Sequence, residues 1–212
     1  MKIFITGFQR SGTTLLRRII HFHPDVRAIL HERNILKRGF NNIKFNIDKE
    51  NWGEKLPWFS SKRKILEYCK EWNKRFKNDA KIIQIVRHPK DVMNSNLKKF
   101  RKPYRTTFNI MNSSFPKIII GIDELSNCLS IKYENLVMDP DNTFLKMFDF
   151  IGLDSSPNII KDLRYSKTNY RLNGIQPSRA FAYKKENNDF SGFDFSKINE
   201  ILNKIEGSLY EN

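Results

Sequence analysis

A glycine-bounded loop near the N-terminus combines the residue types that bind phosphate groups. Gly7 and Gly12 enclose Phe-Gln-Arg-Ser, and two threonines follow the second glycine. Glycines let the backbone turn tightly, and the amide groups at the start of a following helix attract anions. In loops that bind Mg–nucleoside triphosphates a lysine follows the second glycine, but here that residue is Thr13 and the cation is Arg10. The loop therefore predicts a phosphate site of another kind.

A second candidate anion site follows a different apolar run. Residues 81–86 lead into Arg87-His-Pro, and Ser95 lies two helical turns further on, with Lys99 one more turn beyond it on the same face. An arginine can bind a phosphate through two parallel hydrogen bonds, and a serine hydroxyl can donate a third. Taken alone, Arg-His-Pro is typical of a capped helix start. Its combination with the first loop makes a phosphate site the better interpretation.

These residues must be positioned by strands that alternate with helices. The β-rich runs are 2–6, 81–86 and 129–133. Apolar residues at helical spacing follow each run, at 13–22, at 90–100 and in a segment that ends at Gly152. A last helix begins near Ser196, a possible N-cap, whereas 117–127 fits either a strand or a helix. The alternation predicts an α/β protein in three layers, in which helices flank a central, mostly parallel sheet.

Two segments interrupt this alternation within what we predict to be a single domain over 1–212. Residues 40 to about 78 hold all three tryptophans and end in a basic helix, which indicates a helical, aromatic insertion that caps the sheet. Trp52 and Trp58 are either core residues or a platform for an aromatic or sugar acceptor, and aromatic clusters are more often core. Residues 164 to about 195 are basic and poor in aliphatic side chains, which is typical of a long functional loop or lid.

Composition limits the classes of function. The chain has 212 residues, of which 39% are hydrophobic, and a formal net charge of +15. These values fit one globular domain with an anionic partner. We find no apolar run of the roughly 20 residues that a membrane span requires, no export signal and no nucleic-acid-binding motif. Cys69 and Cys128 form neither a disulfide framework nor a zinc motif, so we expect a cytoplasmic location and no metal.

Three motifs carry a resemblance to one enzyme family. The loop from Gly7 to Leu16, GFQRSGTTLL, resembles the 5′-phosphosulfate loop of sulfotransferases that use 3′-phosphoadenosine 5′-phosphosulfate (PAPS). Its continuation, residues 17–27, is similar to tyrosylprotein sulfotransferases and their bacterial relatives. The segment from Arg87 to Ser95 resembles the family's 3′-phosphate motif. Tyr133-Glu-Asn-Leu is similar to a segment whose tyrosine lies near the adenine, although Tyr133 fits a core position equally well.

The resemblance implies a three-layer P-loop-type fold. It also implies transfer of a sulfuryl group from PAPS to an acceptor, which leaves 3′-phosphoadenosine 5′-phosphate (PAP) and requires no metal. The implied PAPS contacts are Gln9, Arg10, Ser11, Gly12, Thr13, Thr14, Arg87, Ser95, Lys99 and Tyr133. Arg10 is also expected to act in catalysis, near the bridging oxygen. A basic C-terminal segment closes over PAPS in relatives, and Arg179 and Lys184 are the residues expected to do so here. A solvated basic loop explains that stretch equally well.

A hydroxyl acceptor requires a general base. In the tyrosylprotein branch, a glutamate shortly after a Pro-Asp-Val-Arg stretch has this role. Counting without gaps places His31 at that position, and a shift of one residue places Glu32 there. We favour Glu32 and keep His31 as the alternative. Either residue could instead be a solvated side chain after a strand.

Two other functions compete with this interpretation. A small-molecule or nucleoside kinase is disfavoured by Thr13 in place of the lysine, and a non-catalytic polyanion-binding module is disfavoured because the basic residues are spread through the chain. The acceptor is not identified by the sequence. A carbohydrate and a peptide tyrosine are the candidates. The excess of positive charge either forms a solubilising surface or attracts an acidic acceptor. The sequence leaves the oligomeric state open.

Overall fold

The computed structural model describes residues 1–39, 48, 50–58, 64–165, 175–186 and 188–205. Its centre is a five-stranded parallel sheet in the order β2-β3-β1-β4-β5. The strands are β1 (Lys2–Phe8), β2 (Ala28–His31), β3 (Trp52–Trp58), β4 (Ala80–Val86) and β5 (Cys128–Lys132). Every residue of β1 is buried, because this strand lies in the middle of the sheet and helices cover both of its faces.

Helices cover both faces of the sheet. They are α1 (Thr13–His21), α2 (Ile35–Arg38), α3 (Lys64–Phe76), α4 (Pro89–Phe100), α5 (Tyr104–Asp123), α6 (Tyr133–Met138), α7 (Pro140–Ile151), α8 (Pro157–Tyr165) and α9 (Ser196–Lys204). Side chains alternate along β1, so Phe4 packs in one apolar cluster with α3, α5 and α9, while Ile5 packs in the other with α1 and α7. The α/β, three-layer fold predicted from the sequence is confirmed.

The segment 40–78 differs from its prediction as a cap on the sheet. Trp52–Trp58 is a strand inside the sheet, paired with β1 on one side and β2 on the other. Trp52 and Trp58 are buried in the apolar core, so they do not form an exposed acceptor platform. The basic helix at the end of the segment is confirmed as α3. Residues 40–47, 49 and 59–63 lie outside the described residues.

Two smaller expectations are also resolved. The ambiguous stretch 117–127 is helical as far as Asp123, within α5. Ser196 is the first residue of α9 rather than its N-cap, and its amide donates to the carboxylate of Asp194 at 2.9 Å. In the predicted basic loop, two short 3₁₀ turns cover Pro177–Arg179 and Ala182–Lys185, while residues 166–174 lie outside the description. None of the helices described here has the length and apolar character needed to span a bilayer.

The chain order places a crevice at the carboxyl ends of β1 and β4. From β1 the chain moves to β2 and β3 on one side, and then crosses to β4 on the other side of β1. In open parallel sheets, ligands bind at such a switch point, beyond the carboxyl ends of the strands. The two candidate phosphate motifs lie here, because one follows β1 and the other follows β4.

Candidate active site

The first phosphate motif is a tight turn between β1 and α1. Gly12 has φ 102°, a left-handed conformation that favours glycine, and α1 begins at the next residue. A Cβ atom on Gly12 would also lie only 2.4 Å from Cδ2 of Tyr133. The turn is tied to β3 by a 2.7 Å hydrogen bond from the Gln9 amide to the Trp58 carbonyl. These contacts fix the turn at the start of α1, and the positive end of the α1 dipole is directed at it.

The two phosphate motifs meet across one cleft. Arg10 Nε donates to Ser95 Oγ at 2.8 Å, which joins the loop after β1 to the helix after β4. A terminal nitrogen of Arg87 donates to the Arg10 carbonyl at 3.3 Å. Burial, and then the neighbouring Arg87 cation, lower the pKa of Arg10. Two arginines brought together in this way favour a ligand with more than one negative charge.

Arg87 is held by groups on several elements. Its carbon Cζ lies 4.2 Å from the centroid of the Tyr133 ring, a cation–π contact. A terminal nitrogen lies 3.5 Å from the Asp91 carboxylate and donates to the Arg179 carbonyl at 3.1 Å. Its Nε is buried and has no hydrogen-bond partner among the described residues. Arg87 lines the cleft, and a buried donor without a protein partner is suited to an anionic ligand.

The C-terminal segment 175–186 forms one wall of the cleft. Its Tyr183 amide donates to the Asp91 carboxylate at 2.8 Å, and the Tyr183 ring stacks on His88 with centroids 4.4 Å apart. Burial raises the pKa of Asp91, with Arg87 opposing that effect. Arg179 is brought to the cleft by this docking. Lys184 does not line either cavity of the cleft, and its Nζ lies over the Phe181 ring, 5.4 Å from the centroid.

The cleft consists of two adjoining cavities of about 520 and 580 Å³. Most of the predicted site residues line one or both of them: Gln9, Arg10, Gly12, Thr13, Thr14, Glu32, Arg87, Ser95, Lys99, Tyr133 and Arg179. Three predicted residues do not line these cavities, namely Ser11, His31 and Lys184. The Ser11 hydroxyl is fully buried and has no hydrogen-bond partner in the described part of the chain.

The two candidate bases differ in their position. Glu32 lines the cleft, whereas the His31 side chain, 49% exposed, lies beside it with Nε2 3.8 Å from Glu32 Oε1. Burial first, and then the Lys55 cation, lower the pKa of His31, which keeps the ring neutral at neutral pH. The geometry favours Glu32, because it shares the cleft with Arg10.

Lys55 is a site residue that the sequence analysis did not identify. It lies on β3, is 1% exposed, and donates from Nζ to Glu32 Oε1 at 2.6 Å. Burial lowers its pKa, while the bond to Glu32 opposes this effect. The sequence does contain a signal for this residue, because Glu54 and Lys55 are charged residues between the apolar Trp52 and Trp58. Buried charges are kept only when they are paired, so charged residues in such a segment indicate partners elsewhere in the chain.

Pro57, Arg18 and Phe100 also line the cleft and were not predicted. Phe100 is exposed, and its ring lies under the Arg10 guanidinium at 6.0 Å. No group of three or more histidine, cysteine, aspartate or glutamate side chains within the described ranges is arranged to hold a metal ion.

The sequence of this chain is similar to the sequences of sulfotransferases. A family model described as "Sulfotransferase domain" matches residues 1–195. The chain is 24% identical to Protein-tyrosine sulfotransferase A of Caenorhabditis elegans, over 88% of this chain and 59% of that protein. It is 23% identical to a putative protein-tyrosine sulfotransferase of Caenorhabditis briggsae, over 74% of this chain and 68% of that one. The chain thus spans 59% of the length of the first relative.

Solved structures share the fold at low sequence identity. The sulfotransferase domain from the curacin biosynthetic pathway superimposes with a TM-score of 0.70 at 17% identity, covering 98% of both chains. A mouse sulfotransferase complexed with PAP gives a TM-score of 0.55 at 18% identity, covering 96% of this chain and 84% of that one.

Proposed function

Because the chain belongs to the sulfotransferase domain family, we propose that it transfers a sulfuryl group from PAPS to a hydroxyl group of an acceptor. The observation that carries this proposal is the meeting of two anion-binding motifs in one cleft, joined by the 2.8 Å hydrogen bond from Arg10 to Ser95. PAPS has phosphate groups at both ends of one nucleoside. A ligand of that shape can engage both motifs at once.

The residues present fit this donor. Arg10, Arg87, Arg179 and Lys99 supply positive charge, and the Ser95 hydroxyl lies among them. The unpartnered Nε of Arg87 adds a buried donor. We assign the loop from Gln9 to Thr14 to the 5′-phosphate, and Arg87 with Ser95 and Lys99 to the 3′-phosphate. Tyr133, stacked under Arg87, is assigned to the adenosine side.

Bound PAPS supplies the sulfuryl group, and PAP is the product. In this scheme Glu32 accepts the proton of the acceptor hydroxyl, since its carboxylate lies in the cleft. Lys55 donates to that carboxylate at 2.6 Å and lines the cleft, so its ammonium group supplies positive charge that stabilises the transition state. Arg10 stabilises charge at the 5′-phosphate end. These roles are positioning and electrostatic stabilisation, which are what group transfer of this type mainly requires.

For the acceptor we propose a tyrosine hydroxyl in an acidic peptide. The similarity to two proteins described as protein-tyrosine sulfotransferases supports tyrosine. The positive charge of Arg18 supports an acidic context, because Arg18 lines the same cavity as Glu32 and Lys55. A carbohydrate hydroxyl or an amine is the alternative, which an acceptor screen with labelled PAPS distinguishes.

The experiment that tests the donor is a thermal-shift series with three ligands. We expect PAP to raise the melting temperature without magnesium, because Arg87 and Ser95 bind its 3′-phosphate. Mg-ATP and a short single-stranded nucleic acid serve as the comparison ligands. Stabilisation by Mg-ATP alone would indicate a kinase, and stabilisation by nucleic acid alone a polyanion-binding module. Either result contradicts the proposal.

A further inference from the structure

The loop that carries Glu32 has an unusual backbone. Glu32 has φ 54° and Asn34 has φ 56°, so two non-glycine residues within three positions are left-handed. Residues with a side chain rarely adopt this conformation, because Cβ approaches the neighbouring carbonyl oxygen. Surrounding interactions must therefore hold the loop in shape. The described structure contains such interactions, and they come from two consecutive residues of β3.

Glu54 holds the loop from one face of the sheet. Its side chain is fully buried, and its carboxylate accepts hydrogen bonds from the Asn34 amide and, at 3.1 Å, from the Ile35 amide. The Tyr68 hydroxyl donates to the same carboxylate at 2.6 Å and accepts from the Leu36 amide at 3.2 Å. Successive amides that converge on one anion form a nest.

Lys55 holds the same loop from the opposite face, because neighbouring residues of a strand point to opposite sides. Its Nζ donates to the Glu32 carboxylate at 2.6 Å, and its carbonyl accepts from the Glu32 amide at 2.9 Å. The backbone at Asn34 and the carboxylate at Glu32 are thus both fixed relative to β3. β3 in turn pairs with β1, which leads into the phosphate loop.

We propose that Glu54, with Tyr68, is a positioning residue for sulfuryl transfer, which directs the Glu32 carboxylate into the cleft through the conformation of residues 32–36. The inference rests on the proposed function, in which Glu32 is the base. Glu54 itself does not line the cleft. Burial raises the pKa of Glu54, while hydrogen bonds from Tyr68 and the loop amides oppose this effect. Burial of a carboxyl group costs free energy unless the group is hydrogen-bonded. The hydrogen bonds to the Glu54 carboxylate come from the amides of Asn34 and Ile35 and from the Tyr68 hydroxyl.

The test is a double-mutant cycle on turnover. Glu54→Gln retains the side-chain shape but replaces one acceptor oxygen by a donor, so the nest loses a partner. We expect kcat to fall about tenfold, a part of the hundredfold or more that a general base contributes. The Kd for PAP should stay unchanged, because the phosphate residues do not depend on this loop. In the Glu32→Ala background, the same change should have no further effect on kcat.

Two further variants keep the test decisive. Tyr68→Phe removes one hydroxyl from the network, and we expect a smaller loss of kcat, about threefold, again only when Glu32 is present. It replaces Glu54→Gln if that protein does not fold. Ser130→Ala is the matched control, because it removes a buried hydrogen bond from Gln84 that joins β4 to β5, which lie across β1 from Glu54. We expect it to lower the melting temperature without changing kcat.

The outcomes separate this inference from the proposed function. If the wild-type protein neither binds PAP nor transfers sulfuryl groups, the proposed function fails. If it does both, but Glu54→Gln and Tyr68→Phe leave kcat unchanged, the positioning role is wrong. It is also wrong if they lower kcat by the same factor with and without Glu32, because such additivity indicates an effect that does not pass through Glu32.

Discussion

Removal of the Arg87 side chain gives the most direct test of the donor site. Arg87→Ala should cause a large loss of affinity for PAP and a small loss for adenosine 5′-monophosphate, which lacks only the 3′-phosphate. Arg87 has two kinds of interaction in the structure. It supports the site by donating to the carbonyls of Arg10 and Arg179, and it presents a buried Nε without a partner. The first kind affects both nucleotides, and the second only the one with the 3′-phosphate.

The magnitudes follow from these interactions. Each terminal nitrogen of a guanidinium carries two hydrogens, so Arg87 can donate to the phosphate from Nε and from one terminal N–H that the carbonyls do not use. Two charge-assisted hydrogen bonds to a phosphate contribute about 1.5 kcal/mol each at the low end, so their loss costs about 3 kcal/mol. That free energy corresponds to a factor of about 150 in Kd. The supporting bonds to backbone carbonyls contribute about 1 kcal/mol to the site, which corresponds to a loss of about fivefold for both nucleotides. The preference for PAP over adenosine 5′-monophosphate should therefore fall about 150-fold.

Isothermal titration calorimetry with the two nucleotides measures this preference. The matched control is Arg105→Ala, which removes the same charge from the exposed first turn of α5, outside both cavities. We expect it to change neither Kd by more than about twofold, as screening weakens a distant surface charge. An equal loss for the two nucleotides in Arg87→Ala would refute the assignment of Arg87 to the 3′-phosphate.

Three further predictions concern the base, the loop and acid stability. Glu32→Ala should lower kcat about 100-fold with the Kd for PAP unchanged, and His31→Ala by less than about threefold; the reverse order in a sulfuryl-transfer assay would make His31 the base. Gly12→Ala should abolish measurable PAP binding and lower the melting temperature, because the new methyl group collides with Tyr133; calorimetry and thermal denaturation check both effects, and unchanged binding would contradict the proposed loop geometry. Burial lowers the pKa of His88 to about 3, from its ordinary value of 6.5. Between these two pH values the His88 ring is neutral in the folded protein and protonated in the unfolded chain. Stability should therefore fall as pH decreases from about 6.5 towards 3, by at most about 1.4 kcal/mol per pH unit, and His88→Asn should flatten this slope in urea denaturation measured from pH 7 to 4. An identical slope in the variant would show that His88 does not cause it.

Much of the fold could be predicted because its signals are local. The strand, glycine turn and helix at 2–22 are confirmed as Lys2–Phe8 and Thr13–His21, and Pro89 begins α4 as expected. Glycine, proline and helical periodicity act within a few residues, so a single sequence is sufficient to identify them. The strand Trp52–Trp58 could not be identified in this way. It is buried on both faces and shows no alternation of polar and apolar residues.

The sequence by itself determined which residue types could bind phosphate and in which order they occur, because each motif is a strand end followed by a helix start. Only the tertiary structure decided which of them share a cleft. It joined Arg10 by a hydrogen bond to Ser95, 85 residues away in the chain. It also placed Arg179 in the lining of the cleft and Lys184 outside both cavities. It also revealed Lys55 beside Glu32. These contacts join different strands, and they depend on the order of β3, β1 and β4 in the sheet, which no local pattern specifies.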